Sequence, residues 1–216
     1  SWYGGAYQNE NTNNFELFHG GQDNYLIFHF QYDPSDQVLT WANSTLQNYP
    51  NRRVIVTTHS YLNVDGTRTD IGNRIWQNFV APHADQIFLV LCGHNHAETQ
   101  RVDVINGHTV YQIMANYQDR TNGGNGWLRI LEFHPVEDKI YVRTYSPYLN
   151  NYETDADSQF TLDYDMAWAA SSIVEKVVWI VTGVNCSGIT IYTQTAQIPS
   201  IVWDRIKIID GGVTKG

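Results

Sequence analysis

Three apolar runs separated by two segments of helical period constrain this chain more than any other feature. "YLIFHF" (Tyr25 to Phe30), "RRVIVTTHS" (Arg52 to Ser60) and "QIFLVLCG" (Gln86 to Gly93) are rich in aromatic and β-branched residues and read as strands. Between the first two, Pro34 and Ser35 are helix start signals. Val38, Ala42, Leu46 and Tyr49 then fall on one helical face, and Pro50 ends the pattern. Between the second and third comes a loop with Asp65-Gly66, followed by a helix from about Asp70 to Val80. Ile71, Ile75, Trp76 and Phe79 form its apolar face. Strand–helix–strand–helix–strand is the α/β pattern with right-handed crossovers.

The period then changes. "TQRVDVI", "HTVYQIMAN", "GWLRILEF" and "KIYVRTYS" read as strands joined by short turns such as Asn106-Gly107 and "NGGNG". They are expected to form an antiparallel meander continuing the same layers. The first two dozen residues, rich in Gly, Asn, Gln and Tyr, read as irregular surface loop. The acidic stretch "DADSQFTLDYD" reads as the end of a domain. "IVEKVVWIVT", "GITIYTQT" and "IVWDRIKIID" read as three short strands in a segment marginal in size for a domain of its own, expected to extend or cover a sheet of the main domain. The expected fold class is therefore α/β (α+β layered). A mixed sheet with two helices precedes an antiparallel β meander and a β-rich C-terminal extension, with residues 1–166 as one domain and 167–216 as the extension.

With 13 Lys+Arg against 22 Asp+Glu the net charge is −9. That balance argues against a nucleic-acid partner or an anionic membrane, both of which select a basic face. A small phosphate-bearing substrate stays open, given metal ions or helix N-termini to receive it. Two cysteines, Cys92 and Cys186, are no disulfide framework, and Cys92 within its apolar run reads as a small buried hydrophobe. No apolar run reaches the length of a membrane-spanning helix. The start at "SWYGG", without Met or an apolar leader, is expected of a piece of a longer protein or a processed form.

In an open α/β sheet, ligands bind beyond the carboxyl ends of the strands. Two strands here end in histidine, one at His59 and one at "CGHNH", which carries His94 and His96. Gly93 breaks the strand and lets the chain turn. Neutral imidazole is the commonest metal ligand at about neutral pH, so His59, His94 and His96 are the candidate metal ligands. His19, His29, His83, His108 and His134 read as ordinary surface or hydrogen-bonded histidines. Asn116, Tyr117 and Gln118 follow a neighbouring strand. Asn116 and Tyr117 are candidate substrate contacts, against the plain reading as loop residues.

"VIVTTHSYL" and "CGHNH" resemble the fourth and fifth blocks of the calcineurin-like metallophosphoesterases, an apolar strand ending in a ligand histidine and Gly-His-x-His. "MANYQ", "GNGWLRILEF", "TYSP" and "DSQFTLDYDM" are similar to the tail of secreted bacterial members. The resemblance covers about residues 1 to 166. It implies a partial metallophosphoesterase sandwich and a secreted or periplasmic location. It further implies one or two divalent metals (Zn, Fe or Mn), with His59 and His94 on one and His96 on the other. Such metals activate water and clamp phosphoryl oxygens for in-line attack, so the implied activity is hydrolysis of a small phosphomonoester or phosphodiester.

The family's first three blocks, Asp-x-His, Gly-Asp-x-x-Asp and Gly-Asn-His-Asp/Glu, have no counterpart in this chain. The ligands they carry are expected from an upstream N-terminal half or another chain. Substitution by the loop carboxylates Asp65, Asp70 or Asp119 is the less favoured route. Catalytic groups proper are not assigned. Two readings follow: a metal-dependent phosphoesterase, and a non-catalytic scaffold or binding remnant of one. A serine hydrolase built on Ser60 is disfavoured, because no Gly-x-Ser-x-Gly elbow is present.

Overall fold

β1 (Tyr3–Ala6) and β2 (Asn14–Gly20) open the chain as an antiparallel pair, where the sequence reads as loop. Gly and Asn flanks obscure a short apolar pattern: Phe15 and Phe18 of β2 are both buried. The computed structural model describes residues 2–20 and 23–166, and the backbone of three further strands within 175–206. Cys186 and the side chains of 167–216 lie outside the described residues.

β3 (Asp23–His29) leads to α1 (Asp36–Leu46), β4 (Arg53–Thr57), α2 (Asp70–Ile75) and β5 (Ile87–Cys92). β3, β4 and β5 are parallel neighbours, so the α/β alternation is present as expected. β6 (Glu98–Ile105) and β7 (His108–Ala115) form an antiparallel hairpin whose second strand pairs parallel with β5. The first sheet is therefore mixed and seven-stranded, in the order β1-β2-β3-β4-β5-β7-β6. The apolar "VYQIMA" of β7 takes the interior position and β6 takes the edge, where Val102 and Val104 are exposed and Arg101 and Asp103 are half-buried.

The expected meander is divided between two sheets. β8 (Leu128–His134) and β9 (Lys139–Ser146) belong to a second, antiparallel sheet with β10 (Asn151–Glu153) and β11 (Phe160–Asp163). β12 (Glu175–Gly183), β13 (Thr190–Gln197) and β14 (Ser200–Ile206) complete the order β10-β9-β8-β12-β13-β14, and β11 pairs with β9. The acidic stretch read as a domain end thus contributes a strand, β11. The chain forms two units, Ser1–His19 with Asn24–Asn116, and Gly20–Asp23 with Tyr117–Gly216. The division expected at residue 166 falls inside the second of these.

Both faces of the first sheet are buried, with Tyr25, Ile27 and Ile55 on one and an apolar cluster on the other. Leu26 and Phe28 of β3 and Val54 and Val56 of β4 alternate onto the latter face, and Val38, Leu39, Ala42 and Leu46 of α1 cover them. Phe28 sits among Phe15, Trp41 and Phe79 with ring centroids 5.2–5.9 Å away. Ser35 caps α1, its Oγ accepting from the Val38 amide at 3.4 Å, as the start signals predict.

The second helix is shorter in α form than its sequence period suggests. After Ile75 it widens into a π turn over Trp76–Val80 and tightens to a 3-10 turn over Ala81–His83. Pro82 explains the change, because it has no N–H to give the Asn78 carbonyl one turn back. That carbonyl accepts from Asn43 Nδ2 instead, at 3.1 Å, and Asn43 Oδ1 lies 2.6 Å from His83 Nε2.

Desolvation holds the His83 pKa below 6.5, with Asp85 opposing. The unfolded chain then binds a proton that the native state resists. Stability from this group is present above 6.5 and is lost as pH falls from there through the folded pKa. Thermal unfolding midpoints measured from about pH 7.5 to pH 5 should decline, and His83→Gln should flatten that decline. An identical pH profile in the variant would remove His83 from the account.

Candidate metal centre

Three consecutive parallel strands deliver the site residues at their carboxyl ends. β3 runs on to Tyr32, β4 to His59 and β5 to His94. The sheet's hydrogen bonds continue past the strands: Phe30 N to Thr57 O at 2.8 Å, Thr58 N to Leu91 O at 3.0 Å, and Gly93 N to His59 O at 3.0 Å. The two histidines are thus tied through the backbone before any side-chain contact is considered.

The sharp turn after β5 is made at His94 rather than at Gly93. His94 has φ +68°, in the left-handed region that costs a side-chain-bearing residue free energy. Gly93 lies outside that region, and a Cβ added there would meet only Ala115 O at 3.7 Å. Two side chains fasten the turn. Asn116, just beyond β7, donates Nδ2–H to His94 O at 2.9 Å, and Asn95 donates Nδ2–H to Leu62 O at 2.8 Å. The loop that holds Leu62 is itself anchored. Arg68, which bridges to Leu62, donates to Gln112 Oε1 at 2.8 Å, meets Asp103 at 2.6 Å and lies over the Trp76 ring at 3.6 Å. Desolvation pushes the Asp103 carboxyl up, but hydrogen bonds from Arg101 and Gln112 with the Arg68 charge leave it below the usual range.

The rings of His59 and His94 come together, centroids 5.0 Å apart and planes at 55°. Tyr32 packs on both, at 5.6 Å from His59 and 4.9 Å from His94, with its Oη 3.5 Å from His94 Nε2. All three residues are exposed. Partial desolvation first, and the His94 ring second, hold the His59 pKa below 6.5. His59 is therefore the neutral ligand form at about pH 7.

The centroid separation of the pair is one that two ligands of a single ion could share. Two imidazoles on a tetrahedral cation, with metal–nitrogen bonds of about 2.1 Å, set their ring centroids roughly 5 Å apart. His96 is exposed two residues beyond His94. Among the described residues, no group of three or more His, Cys, Asp or Glu side chains is placed to hold a metal; His59 and His94 are in ring contact. Burial pushes the Cys92 thiol up to about 12, which keeps it from the thiolate form a metal needs.

The other candidates are placed as follows. Asp65 Oδ1 accepts from the Thr67 amide and hydroxyl at 2.9 and 2.6 Å in a local turn. Asp70 is exposed in the first turn of α2, and Asp119 is an exposed residue of the second unit. Asn116 gives its amide to the His94 backbone. Tyr117 is fully buried in the second unit, with its Oη 3.2 Å from Thr144 Oγ1. Sequence reasoning missed Tyr32. Its signal was available, because it follows a parallel strand whose neighbour ends in His59.

No protein-family model matches the chain. Over 177 residues it is 33% identical to the uncharacterized protein YvnB of Bacillus subtilis (strain 168), an alignment covering 76% of this chain and 14% of that protein. The chain thus spans about a seventh of the length of the relative it matches. Among the described residues no helix is long and apolar enough to cross a membrane.

Proposed function

We propose that the chain carries part of the metal centre of a phosphoester hydrolase of the calcineurin-like metallophosphoesterase type. The observation that carries this reading is the His59–His94 ring pair, 5.0 Å apart at adjacent parallel strand ends. His59 and His94 hold one divalent cation (Zn, Fe or Mn), and His96 serves a second. The resemblance divides the three histidines in that same way, and the pair falls on that division. The remaining ligands come from an upstream segment or another chain. The mixed sheet with helices on one face is compatible with the layered fold of that family.

When bound, the metals supply Lewis acidity to the phosphoryl oxygens and lower the pKa of water. The chain's own residues prepare for this. His59 stays neutral and keeps a lone pair free. Asn116 and Asn95 hold the His94 turn in a conformation it would otherwise leave. The substrate is a small phosphoester, approached from the open ends of the strands.

A second reading is a non-catalytic scaffold or binding remnant, since the two paired imidazoles are fewer than the three protein ligands of a hydrolytic metal site. Hydrolysis of an aryl phosphate by the chain together with the source of its remaining ligands, before and after chelation, separates the two. The phosphoesterase reading expects turnover that chelation removes, metal restores, and His94→Ala or His96→Ala abolishes. Metal binding without turnover selects the scaffold. Turnover undiminished in both variants contradicts the metal-centre assignment.

A further inference from the structure

We infer that Tyr32 is the residue that selects the substrate's organic group, favouring phosphoesters that carry a planar aromatic group. The inference rests on the phosphoesterase reading above and concerns the same site. Tyr32 is 47% exposed, yet the chain around it is tied on every side. Gln31 N donates to Asn13 Oδ1 at 3.1 Å, Gln31 O accepts from Thr58 Oγ1 at 3.2 Å, and Gln31 Nε2 donates to Asp33 O at 3.2 Å. Asp33 is ion-paired with Arg74 of α2. The ring is set edge-on to His94 at 73° and tilted by 52° to His59.

A half-exposed aromatic ring needs no such frame to face water. A ring held in place before a ligand arrives binds it with less ordering cost, which is the physical use of the arrangement. Its position decides what it meets. A phosphoryl group drawn to a cation between His59 and His94 brings the first atoms of its substituent beside the Tyr32 ring. A flat aromatic group can stack there, and a short alkyl group leaves the ring in water. The phenol lies at a loose 3.5 Å from His94 Nε2, so it can turn to another acceptor, and the aryl preference belongs to the ring.

The test is calorimetric binding of phenylphosphonate and ethylphosphonate, neither of which can be hydrolysed at its P–C bond, to the zinc-loaded chain. The wild type should bind the phenyl compound the more tightly. Tyr32→Ala should reduce the preference for the phenyl over the ethyl compound about tenfold. Tyr32→Phe keeps the ring and should keep the preference. An unchanged phenyl preference in Tyr32→Ala, equal binding of both compounds by the wild type, or its loss in Tyr32→Phe overturns the role of Tyr32 alone. Failure of the wild type to bind zinc or either phosphonate overturns this inference together with the reading it rests on.

Discussion

Replacing Gly72 by alanine is expected to lower stability by about 3 kcal/mol, the upper range for overpacking a closed interior. Helix propensity alone predicts the opposite, since alanine inside a helix is favoured over glycine by roughly 1 kcal/mol. Geometry decides the sign. A Cβ on Gly72 would lie 2.1 Å from Tyr61 O, 2.9 Å from Tyr61 C and 3.1 Å from Tyr61 Cα. These are backbone atoms, so no side chain can rotate aside. The same carbonyl accepts from the Thr69 amide at 3.0 Å, and Thr69 Oγ1 caps α2 through the Gly72 amide at 3.0 Å. Relief of the clash would therefore loosen the helix start and move the loop two residues beyond His59. Urea unfolding should show a reduced midpoint with little change in slope. A variant as stable as the wild type would mean that α2 does not approach the chain this closely.

His94→Ala and His59→Ala should each weaken divalent-metal affinity by at least about a hundredfold, beyond the range seen when a supporting hydrogen bond is lost. Each removes one of two paired donors, and a single exposed imidazole is a poor site for any ion. Asn116→Ala should fall between these variants and the wild type. It leaves both rings in place but frees His94 O, and with it the turn that holds φ at +68°. Folding should be intact in all three, because the altered side chains lie outside the core. Competition titrations with a chromophoric chelator measure the affinities. Equal affinity in wild type and His94→Ala would place the ion elsewhere.

The parts of the fold legible in the sequence were those where one local signal met no rival. Ser35 caps α1 where Pro34 and Ser35 announced it, and the continuous apolar runs of β3, β4 and β5 are what parallel strands require. β2 was hidden because Phe15 and Phe18 stand among Asn, Glu and Gly, and strand pairing outweighs a loop-like composition. The division of β6–β9 between two sheets depends on long-range partners, and the segment between Ala115 and Leu128 carries no local signal that the chain changes sheets there. Pro82 was visible, but its consequence, the π turn, needs Asn43 from another helix to satisfy the Asn78 carbonyl.

At the site, His59 and His94 were legible because strand ends and the Gly-His-Asn-His turn are local features. The glycine in that turn points to Gly93 as its pivot, whereas the left-handed residue is His94, held by Asn116. Tyr32 was passed over because a tyrosine in "QYDPSD" looks like any surface aromatic until the order β3-β4-β5 sets it beside two imidazoles.

Nitrogen NMR of the imidazole rings during zinc titration asks whether His59 and His94 share one cation. One ring nitrogen of His59 and one of His94 should shift together to metal-bound positions with the first equivalent, and His59→Ala should abolish the change at His94. Unmoved rings at both positions, or a His94 response that persists without His59, would contradict a shared cation.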